Sequence, residues 1–148
     1  MKTAEDAKDA EGTKLDEITG AVVDAAMKVH TALGPGLLES VYEKCLKHEL
    51  TKRGLRVESQ LWLPVSYDGT LIEGGYKIDL LVEGQVVVEL KVTESLLDIH
   101  KAQLLSYLKL SGKRVGLLIN FNVVHLRDRI KRLVSSQRRS AAATGGNS

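Results

Sequence analysis

Residues 74–92 read GGYKIDLLVEGQVVVELKV, two β-rich runs joined by a short Glu-Gly turn. Val, Leu and Ile fill both runs, a composition typical of strands buried in a sheet. The exceptions are Asp79 in the first run and Glu89 and Lys91 in the second. A charged side chain among apolar neighbours costs free energy unless it is paired or binds a metal. These three residues are therefore the first candidates for chemistry.

The length of the turn decides whether the two acids share a face of the sheet. Glu89 and Lys91 are two residues apart, so their side chains leave the same face of their strand. A two-residue loop, Glu83-Gly84, would pair Asp79 with Val88. Asp79 and Glu89 would then lie on opposite faces.

A three-residue loop over residues 82–84 would instead pair Asp79 with Val87. Asp79 and Glu89 would then be diagonal neighbours on one face. The same register gathers apolar residues on the other face, namely Ile78, Leu80, Val86 and Val88. We predict this register because the apolar pattern and a shared acidic face require the same pairing.

Two carboxylates and a lysine on one face suit a hard divalent cation, Mg²⁺ or Mn²⁺, and a phosphodiester. The cation lowers the pKa of a bound water, and the lysine can orient that water or stabilise the charged transition state. The spacing equally fits an ordinary ion pair of Lys91 with Asp79 or Glu89 at a solvated sheet edge. From spacing alone, both interpretations stay open.

Hydrophobic periodicity in the rest of the chain predicts an α/β (α+β) domain with element order α-α-β-β-β-α-β, a mixed sheet flanked by helices. Helices are expected over residues 15–33, 36–53 and 97–110. Strands are expected around 57–65, 76–82, 85–92 and 115–121, with a weaker strand or short helix over 130–134. We predict a disordered leader over residues 1–12, one domain over 13–134 and a disordered tail over 135–148.

Composition narrows the class of protein. The chain has 148 residues, 43% of them hydrophobic, which is enough for one domain with a real core. No apolar run reaches the roughly 20 residues of a membrane-spanning helix, and the polar N-terminus is not a secretory signal. A single cysteine, Cys45, excludes a Cys-ligated zinc or iron–sulfur site within one chain. We therefore expect a cytoplasmic protein without a membrane partner.

Two helical pairs add polar groups to the predicted site. Gln103 and Tyr107 are four residues apart and share a helix face. Glu39 and Tyr42 begin the second helix, where free N–H groups suit a phosphate. Each pair also has a structural interpretation, as an acid stabilising a helix start or a polar pair at the rim of the core.

Two aromatic residues lie on the first predicted strand. Trp62 and Tyr67 could stack on nucleobases. Packing of a strand aromatic against a helix is the more common arrangement, and we expect it here.

Residues 36–42 read GLLESVY, which matches a GxxExxY pattern. From about Leu15 to Val134 the chain resembles the GxxExxY family, small proteins assigned to the PD-(D/E)XK nuclease superfamily. Residues 103–107, QLLSY, also resemble the QxxxY motif of RecB-type nucleases in that superfamily. Ile78 stands where many members have Pro, and the missing cysteine cluster excludes the iron–sulfur subgroup.

The resemblance implies a restriction-endonuclease-like core and a role for each matching residue. The implied catalytic set is Glu39, Asp79, Glu89, Lys91, Gln103 and Tyr107. The implied metal ligands are Asp79, Glu89, the backbone carbonyl of Leu90 and, directly or through water, Glu39. Lys91 would be the catalytic lysine and Gln103 would position it or the metal site. Tyr107 would contact phosphate or brace its helix.

The leading hypothesis is a Mg²⁺- or Mn²⁺-dependent nuclease that hydrolyses phosphodiester bonds of DNA, in preference to RNA. Because the chain has no room for a separate recognition domain, we expect no high sequence specificity unless a homodimer or a partner protein supplies it. The alternative is a catalytically silent nucleic-acid-binding or protein-interaction module that retains the nuclease fold. Convergence of Glu39, Asp79, Glu89 and Lys91 is the geometric condition for the first hypothesis.

Overall fold

The computed structural model describes residues 4–135. The elements are α1 (Ala4–Leu33), α2 (Glu39–Lys52), β1 (Val57–Tyr67), β2 (Thr70–Val82), β3 (Val86–Lys91), α3 (Asp98–Ser111), β4 (Val115–Asn120), a 3₁₀ turn (Leu126–Arg129) and β5 (Ile130–Val134). The five strands form one sheet in the order β1-β2-β3-β4-β5. The predicted fold class and element order are confirmed, and the weaker last element is a strand.

Strands β3 and β4 form the one parallel pair of this sheet; the other three pairs are antiparallel. Helix α3 makes the crossover between β3 and β4, as a parallel connection requires. Every residue of β4 is buried, which is typical of a strand covered on both faces.

The two faces of the sheet carry separate apolar cores. Helices α1 and α2 cover one face, where Val22, Leu46, Leu50 and Val88 are buried. Helix α3 covers the other face, where Leu104 and Leu108 pack on the sheet. No helix among residues 4–135 is long and apolar enough to cross a membrane.

Helix α1 begins well upstream of its predicted start. Residues 4–12, predicted as a disordered leader, belong to this helix. Their sequence, AEDAKDAEG, is rich in the strong helix formers Ala, Glu and Lys, so the helix continues beyond its apolar stripe. Residues 1–3 of the predicted leader and 136–148 of the predicted tail lie outside the described part of the chain.

The β2–β3 loop has three residues, as predicted, but it is shifted by one. Val82 pairs with Val86, so the loop comprises residues 83–85. Glu83 and Gly84 have φ values of 53° and 64°, and the Gln85 N–H donates to the Val82 carbonyl. These two left-handed residues form a tight turn one position later than predicted.

The shifted loop changes the partner of Asp79. Leu80 pairs with Val88, which places Asp79 directly opposite Glu89. The predicted pairing of Asp79 with Val87 is therefore wrong, and the acids face each other instead of lying diagonally. The two carboxylates still meet, because each accepts a main-chain N–H group of the other strand.

Strand β2 changes face at Asp79. Ile78 packs in the α3 core, whereas Leu80 packs in the core under α1 and α2. Regular alternation would put both on one side, as the sequence predicted, and that expectation is wrong. The neighbouring strand is irregular at the same level: Gln60, opposite Asp79, has φ 53° and interrupts the β1–β2 pairing.

The β1–β2 hairpin extends beyond the sheet, because β2 pairs with β3 only over residues 80–82. It ends in a tight turn in which Asp68 and Gly69 have φ values of 52° and 74°. Trp62 and Tyr67 on this hairpin are 60% and 73% exposed. The expectation that they pack against a helix is therefore wrong.

Gly116 on β4 sets how closely α3 approaches the sheet. A β-carbon there would lie 2.8 Å from Cδ1 of Leu104, a buried side chain of α3. Gly116→Ala should lower the free energy of unfolding by ~1–3 kcal/mol through overpacking. Gly20→Ala is the matched control, since Gly20 lies on exposed helix with open space around it. It should raise stability by up to about 1 kcal/mol.

Urea unfolding of the parent chain and both variants measures these changes. Equal stability of Gly116→Ala and the parent would show that α3 is free to move away from the sheet.

Candidate active site

Two reciprocal hydrogen bonds join Asp79 and Glu89 across strands β2 and β3. The Asp79 N–H donates to Oε1 of Glu89 at 3.1 Å, and the Leu90 N–H donates to Oδ2 of Asp79 at 2.9 Å. Each carboxylate thus accepts a main-chain N–H of the other strand. The two acids are 8% and 4% exposed, so both are held inside the sheet.

Burial of this pair controls the protonation of Glu89. Desolvation, and next the charge of Asp79, raises the pKa of Glu89 to about 8. The hydrogen bond from the Asp79 N–H and the charge of Lys91 lower the pKa of Glu89, but by less than burial and Asp79 raise it. Two buried carboxylates side by side resist carrying two negative charges without a cation. Near neutral pH the pair therefore retains a proton when no cation is bound.

Lys91 is held by a chain of side-chain hydrogen bonds from α3. Its Nζ donates to Oε1 of Gln103 at 3.1 Å, and Nε2 of Gln103 donates to the Tyr107 hydroxyl at 3.0 Å. The Tyr107 ring stacks on Tyr76 of β2 at 4.9 Å between centroids. The predicted direction of Gln103 toward Lys91 is confirmed.

The simple ion-pair interpretation of the three strand residues does not hold. Of the ion pairs formed within residues 4–135, none joins Lys91 to Asp79 or Glu89. Strand β3 is also central in the sheet, between β2 and β4. A neutral amide therefore orients the Lys91 ammonium, and no carboxylate of residues 4–135 forms an ion pair with it.

Glu39 lies at the first residue of α2, where it is exposed to solvent. Partial desolvation, then the charge of Asp79, raises its pKa, while the positive charge of Lys91 lowers it. Glu39 is thus within electrostatic range of Asp79 and Lys91. The convergence of Glu39 with Asp79, Glu89 and Lys91 stays a prediction.

The tyrosine of the GxxExxY pattern fixes the loop that precedes Glu39. The hydroxyl of Tyr42 donates to the Gly34 carbonyl at 2.5 Å and accepts the Leu37 N–H at 3.1 Å. Its buried ring stacks on Phe121, just after β4, at 4.7 Å between centroids. Tyr42 thus ties the start of α2 to the end of the sheet and sets where Glu39 lies.

Sequence reasoning missed Glu43, one helical turn after Glu39. This buried carboxylate accepts a hydrogen bond from the amide of Gln60, the irregular residue opposite Asp79. Burial, and next the charge of Asp79, raises the pKa of Glu43. Its four-residue spacing from Glu39 was the available signal, because acids at i and i+4 lie on one helix face.

A comparison with protein families matches residues 16–133 to the PD-(D/E)XK nuclease superfamily. The chain belongs to this superfamily. A chain described as the crystal structure of SSO0001 is similar, with a TM-score of 0.47 and 21% identity over 72% of this chain and 55% of that one. This chain thus spans about half the length of that structure. No curated protein matched the chain.

The donor set of this candidate site fits a hard divalent cation. Asp79 and Glu89 supply carboxylate oxygens, and the Leu90 carbonyl belongs to the same stretch of β3. Across residues 4–135, no three His, Cys, Asp or Glu side chains are arranged to hold a metal together. Mg²⁺ does not need such a cage, because it is commonly bound by one or two carboxylates, waters and substrate phosphates.

The raised pKa of Glu89 predicts how stability depends on pH. Between about pH 4.5 and pH 8 the folded chain holds a proton that the unfolded chain has released. In chelator, the free energy of unfolding should therefore fall as pH rises through this window. Glu89→Gln keeps an oxygen for the Asp79 N–H but cannot ionise. Its free energy of unfolding should therefore fall less than that of the parent chain over this pH range.

Urea denaturation at several pH values between 4.5 and 8.5 tests this expectation. Glu58→Gln on exposed β1 is the matched control and should follow the parent curve. A parent and a Glu89→Gln variant with the same pH dependence would contradict the assignment of the buried proton.

Proposed function

We propose that this chain is a nuclease of the GxxExxY type that hydrolyses phosphodiester bonds of DNA, in preference to RNA, with Mg²⁺ or Mn²⁺. The proposed domain covers residues 13–134. Membership of the superfamily makes nucleic acid the expected class of substrate. The observation that carries the proposal is the buried Asp79–Glu89 pair beside a lysine whose ammonium is held by the neutral amide of Gln103.

Asp79 and Glu89 would hold the cation, together with the carbonyl oxygen of Leu90. When bound, the cation would neutralise phosphate charge and make a bound water more acidic. Binding requires Glu89 to release its proton, so affinity should rise with pH. Glu39, at the solvent side, would complete the site through water, since no three acids are close enough for direct ligation within the described residues.

Lys91 would act on the attacking water and on the phosphate charge that develops in the transition state. Gln103 supplies a neutral acceptor, which fixes the direction of the Lys91 ammonium without reducing its charge. Tyr107 holds the Gln103 amide, and its stacking on Tyr76 braces α3 against β2. In this arrangement Gln103 and Tyr107 are positioning residues.

The second candidate is a catalytically silent nucleic-acid-binding or protein-interaction module that retains the fold. It is favoured by the lack of a ready three-acid metal group among residues 4–135. Mg²⁺-dependent cleavage of single-stranded, duplex and branched DNA separates the two candidates. A second copy or a partner protein is the proposed source of any sequence specificity.

The roles of lysine and acid predict different defects. Lys91→Ala should reduce cleavage by ~10²–10³-fold or more, as for loss of one preorganised transition-state donor, and should leave Mn²⁺ binding largely intact. Asp79→Asn keeps an oxygen for the Leu90 N–H but removes a negative charge, so it should lose both cleavage and Mn²⁺ affinity.

Cleavage assays beside calorimetric Mn²⁺ titrations measure both properties. Lys109→Ala is the matched control, because Lys109 is exposed on α3 and should leave both unchanged. If Lys91→Ala cleaves as well as Lys109→Ala, Lys91 has no part in the chemistry and the nuclease proposal fails.

A further inference from the structure

Trp62 lies exposed on β1 with a cation beside its ring. Lys77 of β2 pairs with Trp62 across the hairpin, and its Nζ lies 5.3 Å from the ring centroid. The residues flanking Trp62, Leu61 and Leu63, pack in the α3 core. Because side chains alternate along a strand, Trp62 and Lys77 lie on the face of the hairpin away from α3.

The Trp62–Lys77 pair is next to the candidate active site. The charge of Lys77 lowers the pKa of both Glu39 and Glu43, so its ammonium lies within electrostatic range of the acidic face of α2. Trp62 and Lys77 thus place an aromatic ring and a cation side by side at the edge of the proposed catalytic residues. Neither residue has a role in the proposed catalysis.

We propose that Trp62 and Lys77 form a stacking platform for an unpaired base of single-stranded nucleic acid. This inference rests on the proposed nuclease function and names the form of its substrate. An aromatic ring recognises a base by its flat face, which is free in a single strand and covered on both sides within a duplex. Lys77 would contact the adjoining phosphate, on the side of the site where Glu39 and Glu43 lie.

The Lys77 ammonium favours nucleic acid as the occupant of this surface, because it lies beside the Trp62 ring and can pair with a phosphate. Lys77 partly offsets the acids of α2 at the point where a polyanion would enter. An apolar partner surface would gain from Trp62 but would have to bury the half-buried Lys77 ammonium beside it. A single exposed ring next to a cation therefore suits a base and its phosphate.

Binding of a labelled 12-nucleotide single strand in EDTA tests the platform without cleavage. Trp62→Ala should weaken binding about 5- to 140-fold, the fold-change that corresponds to the ~1–3 kcal/mol of one base–aromatic stack. Trp62→Phe should retain most of the affinity. Tyr67→Ala is the matched control: it is exposed on the same strand, about 17 Å further along at ~3.3 Å per residue.

The chain contains one tryptophan, so its emission reports on Trp62 alone. Emission should change on adding the single strand and stay constant with a blunt duplex. Lys77→Met should reduce the salt dependence of single-strand binding by about 0.7 in the log–log slope, the value for one phosphate contact.

The platform would be overturned by no loss of affinity in Trp62→Ala or by equal losses in Trp62→Ala and Tyr67→Ala. It would also be overturned by an emission change that follows protein concentration instead of added DNA, which would assign the surface to contact between copies of the chain. If the parent chain binds single strands but shows no Mg²⁺-dependent cleavage, the nuclease proposal is refuted and the platform is not. If Trp62→Ala cleaves single strands as well as the parent chain does, the platform is refuted and the nuclease proposal is not.

Discussion

The exchange of hydrogen bonds between Asp79 and strand β3 is the constraint on which the site depends. Two acidic side chains accept the main-chain N–H groups of the opposite strand. This arrangement keeps the strands joined where β2 changes face, and it satisfies buried carboxylates that would otherwise lack partners. Burial of the pair, and next the charge of Asp79, raises the pKa of Glu89. These hydrogen bonds allow the two acids to be buried without a cation, and a bound cation would offset their negative charge.

The helices position the other groups around this pair from two sides. Tyr42 ties the start of α2 to Gly34 and Phe121, and so sets the place of Glu39. On the other face, Gly116 lets α3 approach the sheet closely. Gln103 can therefore reach Lys91. Small and aromatic residues outside the candidate site thus determine where its polar groups lie.

Much of this arrangement could be predicted from the sequence. Asp79, Glu89 and Lys91 stand out as charges in apolar strands, and Gln103 and Tyr107 show the four-residue spacing of one helix face. Register was harder to predict, because the position of a three-residue turn depends on which residues take left-handed conformations, here Glu83 and Gly84. The change of face at Asp79 follows from packing against two helical layers, and no pattern within one strand encodes it. Glu43 was missed for a similar reason, since only the tertiary contact with Gln60 shows that it is buried at the site.

The central claim is that the Asp79–Glu89 pair holds a proton that a divalent cation displaces. Calorimetric titration of Mn²⁺ at pH 7 in several buffers of different ionisation enthalpy measures this exchange directly. We predict binding with release of close to one proton per metal, because the pKa of Glu89 is about 8 without metal. In Glu89→Gln the release should disappear. Mn²⁺ binding without proton release in the parent, or no binding at all, would contradict the account.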